Sequence, residues 1–127
     1  MISTISKSIR DYIHNIFSNH LNSSSETMSE LIKAHDYEER FNHCLSFHEA
    51  TYCNQDDARN AVWFYLRAAL RGDKEAQYKM GLSYLNGQLG LDRSYTHAEK
   101  WLDQAAHQGH ADAKTELDKA LNNLAFS

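Results

Sequence analysis

Proline is absent from this 127-residue sequence, and glycine occurs only five times. All-β folds depend on frequent tight turns, and those turns draw heavily on both residues. Proline also breaks helices, so its absence leaves the backbone free to be helical over long stretches. The shortage of both residues argues against a β-rich protein and predicts a chain that is helical nearly throughout.

Positive charge is also scarce. The 13 lysine and arginine residues are outnumbered by 17 aspartate and glutamate residues, which gives a formal net charge of −4. A nucleic-acid binder needs a basic surface that neutralises phosphates, so we expect no nucleic-acid partner. The apolar fraction of 42% suits a compact core and is too high for general disorder.

Long apolar runs are missing as well. No segment approaches the roughly 18 apolar residues needed to cross a bilayer, so no membrane span is expected. The opening stretch, MISTISK, has no basic segment followed by a continuous apolar one, and it does not resemble a secretory signal. If this is the natural start we expect a cytoplasmic protein, and if a signal segment has been removed we expect an exported one.

The chain does contain an internal repeat. Shifted by 37 positions, the sequence matches itself without a gap from Phe41 to Leu117. Small residues then stand opposite small ones and aromatic residues opposite aromatic ones, as in the pairs Phe47 and Tyr84, Phe64 and Trp101, Ala68 and Ala105, Gly72 and Gly109, and Ala76 and Ala113. Within one unit, Ala76, Met80 and Tyr84 follow at four-residue spacing, which places them on one helix face.

Each unit is predicted to consist of two helices joined by a loop, followed by a short turn. Gly72 and Gly109 stand where a helix ends in a left-handed residue, and Gly81 lets a neighbouring helix approach closely. Aspartate and serine residues are candidate helix caps: Asp73 for the first helix of a unit, and Asp57 and Ser94 for the second. We expect helices near residues 37–50, 57–71, 73–86, 94–108 and 110–124.

The first 35 residues lack the full repeat pattern but are still helical in character. Apolar side chains recur at helical spacing from Ile2 to Leu21, and Met28, Leu31 and Ile32 indicate another helix over residues 25–35. We therefore divide the chain into an N-terminal helical pair at 1–35, a cap or degenerate unit, and a repeat array at 36–127. An end helix is also a candidate contact for a homodimer.

The repeats resemble the Sel-one-like repeat family, which is related to tetratricopeptide repeats. The segment AQYKMGLSYLNG at 76–87 is similar to the first helix of the family's unit, and AEKWLDQAAHQGHADA at 98–113 is similar to its second helix and following turn. The resemblance is strong over 60–117 and weaker back to residue 36. It implies an all-α fold, a short right-handed α-α superhelix (solenoid) of helix-loop-helix repeats with about seven helices.

Members of this family commonly act as adaptors, as regulators of signalling or secretion, and as bacterial virulence or envelope factors. The resemblance implies a non-enzymatic module that binds another protein or peptide without a cofactor. An immunity protein that neutralises a cognate bacterial effector is the second hypothesis. No phosphate loop, nucleophile elbow or Cys/His catalytic signature is present, so no catalytic residue is assigned. His107 and His110 are interpreted as solvated side chains at a helix C-terminus.

A third hypothesis, a small metal-binding protein, depends on four neighbouring residues, His43, Cys44, His48 and Cys53. Their spacing lacks the paired pattern of zinc sites, so no metal ligand is assigned. Cys44 is interpreted as a small packing residue, and two cysteines do not make a disulfide framework. Extracellular members of the family carry disulfides around the inter-unit turn, where this chain has alanines, so that chemistry is not carried over.

The candidate binding residues are those that the repeated core does not use. Trp63 is the strongest, because its counterpart Lys100 shows that packing needs no aromatic there, and exposed tryptophans are enriched at binding hot spots. Packing against the N-terminal helices is the alternative. Tyr52 and Leu89, in the two long loops, either contact a partner or fold over helix ends. The other candidates recur on the inner face of the first helices, unless that face is merely solvated: Asn42, Ser46, Glu49, Lys79, Ser83 and Asn86.

Overall fold

The computed structural model describes residues 25–125, together with Lys7, Arg10, Asp11 and His14. Over this part of the chain the structure is all-α, as predicted, and consecutive helices pack against each other as helix-loop-helix repeats. It contains five α-helices and one short 3-10 turn: α1 Ser25–Leu45, the turn Ala50–Tyr52, α2 Gln55–Leu70, α3 Lys74–Asn86, α4 Tyr95–His107 and α5 Ala111–Ala125. The helix predicted over 2–21 lies outside the described residues, apart from those four isolated positions.

Helix α1 corrects the predicted number of helices. The sequence predicts two helices, at 25–35 and 37–50, but a single helix of 21 residues takes their place. No glycine or proline stands near the expected break, and Asp36 forms an ion pair with Arg40 one turn later. The buried residues Leu31, Ala34 and Phe41 form one stripe across this point, so the same face packs along the whole helix. The structure therefore has five helices in residues 25–125, where about seven were expected for the whole chain.

Most of the predicted helix ends are confirmed. The Asp73 carboxylate accepts a hydrogen bond from the Ala76 amide at 2.8 Å, and Ser94 caps α4. Gly72 adopts a φ of 98° at the inter-unit turn, a left-handed conformation that favours glycine. The predicted cap at Asp57 is wrong, because α2 begins earlier and Asn54 accepts from the Asp56 amide instead.

Small residues allow neighbouring helices to pack closely in the core. Gly81 confirms the predicted close approach, because a Cβ atom built there would lie 2.6 Å from Cγ of Leu102 on α4. Trp101 is partly buried and packs against the main core. Fully buried alanines line the remaining contacts: Ala34, Ala61, Ala68, Ala76, Ala98, Ala105 and Ala113.

Charged side chains join the first half of α1 to the end of α2. The buried Glu30 carboxylate contacts Nε of Arg67 at 2.8 Å and Nε of Arg71 at 3.1 Å. Glu26 adds a contact of 2.7 Å to Arg71. Because Glu30 is desolvated, its two arginine partners are needed to offset the cost of burying its charge.

Candidate functional site

A groove of about 600 Å³ runs along α1 and reaches α3. It brings together three of the residues predicted for the inner face, Asn42, Ser46 and Lys79. Polar and charged side chains of α1 form the rest of its wall: His35, Asp36, Glu38, Glu39, Arg40 and His43. The groove is therefore a polar surface between the first helices of adjacent units.

Lys79 is held inside this groove by Glu38. Its ammonium donates to both Glu38 carboxylate oxygens, at 3.1 and 3.2 Å. The Tyr65 hydroxyl, on the buried side of α2, donates to the same carboxylate at 2.5 Å. The Lys79 charge is thus neutralised within the chain, and the lysine joins α1 to α3.

The environment of Glu38 favours its ionised form. Burial raises the pKa of this carboxyl, but the hydrogen bond with His35 and the charge of Lys79 lower it. Hydrogen bonds from Tyr65 and Lys79 lower it further, so the pKa falls from an ordinary 4.5 to about 2. The ionised Glu38 carboxylate therefore connects α1 to both α2 and α3.

Two of the predicted binding residues do not reach the surface. Ser83 is 2% exposed, and its hydroxyl donates to the Lys79 carbonyl at 2.8 Å, so it is a packing residue of α3. Leu89 is 7% exposed and belongs to the core. It has folded over α2, where it lines a smaller groove of about 260 Å³ with Ala58 and Val62. Asn86 and Glu49 are exposed, but neither lines the larger groove.

Cys44 and Cys53 form a disulfide, which corrects their sequence interpretation. Cys44 lies in the last turn of α1 and Cys53 directly precedes the cap of α2. The chain reverses between them and brings their Cα atoms to 5.8 Å, a separation that suits a disulfide. The bond also removes both thiolates from the metal-binding hypothesis, and the described residues contain no group of three or more His, Cys, Asp or Glu placed to hold a metal ion.

The loop closed by this disulfide presents aromatic side chains to solvent. Tyr52, a predicted contact, is 78% exposed, and Phe47 is 71% exposed. The Phe47 ring packs edge-on to His43, with centroids 5.2 Å apart. Sequence reasoning missed Phe47 because its repeat counterpart, Tyr84, is a partly buried core residue. Because α1 ends at Leu45, Phe47 lies in the loop and does not occupy the core position that Tyr84 takes in the next unit.

Trp63 lies on the outer side of α2 and is 55% exposed. The Arg67 guanidinium lies 6.0 Å from its ring centroid, one helical turn away. Leu70, two turns from Trp63, is 71% exposed. The tryptophan is therefore accessible, on a surface separate from the polar groove.

His110 corrects the interpretation of the histidine pair. His107 is exposed at the end of α4, as expected, but His110 is buried and directly precedes α5. Its Nδ1 accepts a hydrogen bond from the Ala113 amide at 3.1 Å, and its Nε2 lies 3.2 Å from Glu75. The capping position of His110 could have been found from the sequence, because the 37-residue register pairs His110 with the helix cap Asp73.

No helix in residues 25–125 has the length and hydropathy needed to cross a membrane. No solved structure matches the chain. A family model for the Sel1 repeat matches residues 45–73 and 74–110, which is more than half of the sequence. These segments contain Cys53 with the loop that precedes it, the Gly81 contact and both inter-unit glycines. The chain therefore belongs to the Sel1 repeat family.

Proposed function

We propose that this chain is a non-enzymatic module that binds another protein. Sel1 repeat domains are typically protein-interaction modules. The observation that supports the proposal best is the exposure of Phe47 and Tyr52 on a loop closed by a disulfide. Burial of exposed aromatic side chains by a partner contributes strongly to the free energy of binding.

The loop is suited to binding because its ends are fixed. The Cys44–Cys53 bond limits the conformations of the intervening residues, so less entropy is lost when a partner orders them. Leu45, two residues before Phe47 in the chain, is 40% exposed and adds a third exposed apolar side chain to this segment. These three side chains are a candidate centre of an interface, with His43 and Glu49 at its polar rim.

The same disulfide supports an oxidising compartment as the place where the chain acts. Disulfides persist in secreted and periplasmic proteins and are rare in the reducing cytosol. This proposal replaces the cytoplasmic location expected from the first residues. A partner should accordingly come from the periplasm, the cell surface or another oxidising compartment.

Site-specific crosslinking tests the proposal in cells of the natural source. A photoreactive benzoylphenylalanine replaces Phe47, and crosslinked proteins are identified by mass spectrometry. The same amino acid at Lys100, on the exposed side of α4, is the control. We expect a protein that crosslinks from position 47 and not from position 100.

Purified partner then allows a quantitative test by calorimetry. Phe47→Ala and Tyr52→Ala should each weaken binding by about tenfold or more. Leu70→Ala is a matched control, because Leu70 is also 71% exposed but lies on α2, and it should leave the affinity unchanged. Equal losses in all three variants, or none, would contradict the loop as the interface. A toxic effector as the captured protein would identify the immunity role.

A further inference from the structure

The repeat register aligns one acidic residue in the first helix of every unit. Shifts of 37 residues pair Glu38 with Glu75 and Glu75 with Asp112. The position four residues later is occupied by Asn42, Lys79 and Glu116 in turn. The register therefore places the cation of the following unit opposite Glu38 at the first junction, between α1 and α3. At the second junction, between α3 and α5, it places another acid, Glu116, opposite Glu75.

The first junction shows how this arrangement binds a cation. The Lys79 ammonium lies 3.1 Å and 3.2 Å from the two Glu38 oxygens and forms one end of the polar groove. A lysine at this register position is thus within hydrogen-bonding distance of the acid of the preceding unit. Charge-assisted contacts of this kind are stronger than neutral hydrogen bonds.

The second junction has the acids without the equivalent lysine. Tyr78 on α3 packs against the ring of His110, which directly precedes α5, with the ring centroids 4.4 Å apart. Burial raises the pKa of Tyr78, and negative charge on Asp112, Glu116 and Glu75 raises it further. Two groups contact these acids from within the chain: His110 lies 3.2 Å from Glu75, and Lys119 lies 3.1 Å from Glu116 on the same helix. Neither occupies the register position of Lys79.

We propose that the face formed by α1, α3 and α5 docks a basic segment of a partner protein. A lysine or arginine side chain of that segment binds between Glu75 and Glu116, in the place that Lys79 takes at the preceding junction. Asn42 and Ser46 in the adjoining groove provide polar groups for the backbone of the same segment. The inference rests on the proposed function and specifies the chemistry of the partner through charge complementarity.

A lysine-containing peptide is the direct probe. A nonapeptide of alternating lysine and alanine is titrated into the isotope-labelled full chain at low salt, and amide shifts are followed by NMR. The norleucine counterpart of the peptide keeps the length and removes the charge. We expect the signals of Glu75, Tyr78 and Glu116 to shift together with the lysine peptide only. Shifts spread over all exposed carboxylates, such as Asp103 on α4, would overturn the proposal.

Glu116→Lys is the decisive variant, because it restores the lysine that the register lacks. The new side chain should pair with Glu75, raise Tm by about 2 °C and weaken peptide binding by about tenfold or more. Glu116→Gln should weaken binding without raising Tm, and Asp103→Asn, a matched loss of charge elsewhere, should change neither. Unchanged peptide binding in Glu116→Lys would show that the acids do not form the site.

The natural partner separates this inference from the proposed function. A partner identified by crosslinking from position 47 should lose affinity for the Glu116→Lys variant. If it binds Glu116→Lys as well as wild type but loses affinity for Phe47→Ala, the module stands and the basic-segment inference fails. If neither substitution affects the partner, both proposals fail.

Discussion

At the scale of single residues, Glu38 both lines the groove along α1 and connects α1 to two other helices. Its carboxylate accepts hydrogen bonds from Tyr65 and Lys79, which lie on two other helices. The folded state lowers its pKa from 4.5 to about 2. The stabilisation this provides is complete above about pH 4.5 and is lost as the pH falls through about 2.

The Glu38 contribution can be measured from stability as a function of pH. A shift of this size corresponds to about 3 kcal/mol of unfolding free energy. We expect the wild type to lose this amount relative to Glu38→Gln as the pH is lowered from 5 to 2 in urea denaturation. Asn42→Ala, which changes a groove residue that does not titrate, should follow the wild-type profile. Parallel profiles for wild type and Glu38→Gln would contradict the buried ion pair.

Gly81 controls how closely α3 and α4 approach. An added methyl group would lie 2.6 Å from Cγ of Leu102, so Gly81→Ala should destabilise the protein by about 1–3 kcal/mol through overpacking. Leu102→Ala alone should cost about 2–5 kcal/mol through a cavity. The double variant should cost less than the sum, because the new methyl group occupies part of that cavity. Additive losses in denaturant unfolding would mean that the two residues do not contact.

At the scale of helices and loops, sequence reasoning succeeded where the determinant is local and repeated. The left-handed glycines, the Asp73 cap and the alanine face of each unit depend on residues within one or two turns. It failed at α1, because the apolar stripe through Leu31, Ala34 and Phe41 favours one continuous helix over a break near residue 36. Phe47 was placed in the helix predicted over 37–50 for a related reason, since register alone does not show that this helix ends at Leu45.

The disulfide could not be derived from spacing. Nine positions separate Cys44 from Cys53, and the two sulfur atoms meet only because the chain reverses after α1. The groove was partly predictable, because Asn42 and Lys79 share a repeat position and Ser46 lies one helical turn after Asn42 on the same predicted face. The pairing of Lys79 with Glu38 depends on the packing of α1 against α3, which the sequence does not specify.

The stability of the protein and the order of the loop at residues 46–52 should both depend on the Cys44–Cys53 disulfide. Closing a loop of about ten residues lowers the entropy of the unfolded chain and contributes about 2–3 kcal/mol. We expect Cys44→Ser with Cys53→Ser to lose this amount in urea unfolding, and reduction of the wild type by a thiol to have the same effect. Hydrogen exchange should rise in residues 46–52 while α4 stays protected. A variant as stable as the oxidised wild type would contradict a structural role for the bond.

At the scale of the whole molecule, the helices form a linear array. Each helix packs mainly against the next one in sequence, from α1 to α5, as in other repeat proteins. Polar contacts also connect successive inter-unit turns. Gln108 is the clearest, because its amide donates to the Gly72 carbonyl at 2.8 Å and to Gln77 at 2.7 Å. It ties the second inter-unit turn to the first.

A linear array predicts that stability differs along the chain. Among the described residues, helix α5 packs mainly against one helix, α4, and Leu121 and Leu124 remain 45% and 52% exposed. Helices α2 and α3 are packed on both sides. Amide hydrogen exchange should therefore be faster in α5 than in α2 or α3, because local opening exposes less apolar surface.

Removing the Gln108 contacts should enlarge that difference. Gln108→Ala frees the turn at Gly109 from the turn at Gly72, so we expect faster exchange in α5 and the end of α4, with α1 and α2 unchanged. Gln104→Ala is the control, because it removes the same side chain from the exposed face of α4. Exchange that rises equally in all five helices would mean that the array opens as a single cooperative unit. In that case the C-terminal unit could not adjust to a partner independently, and binding at Glu75 and Glu116 would have to occur on a rigid surface.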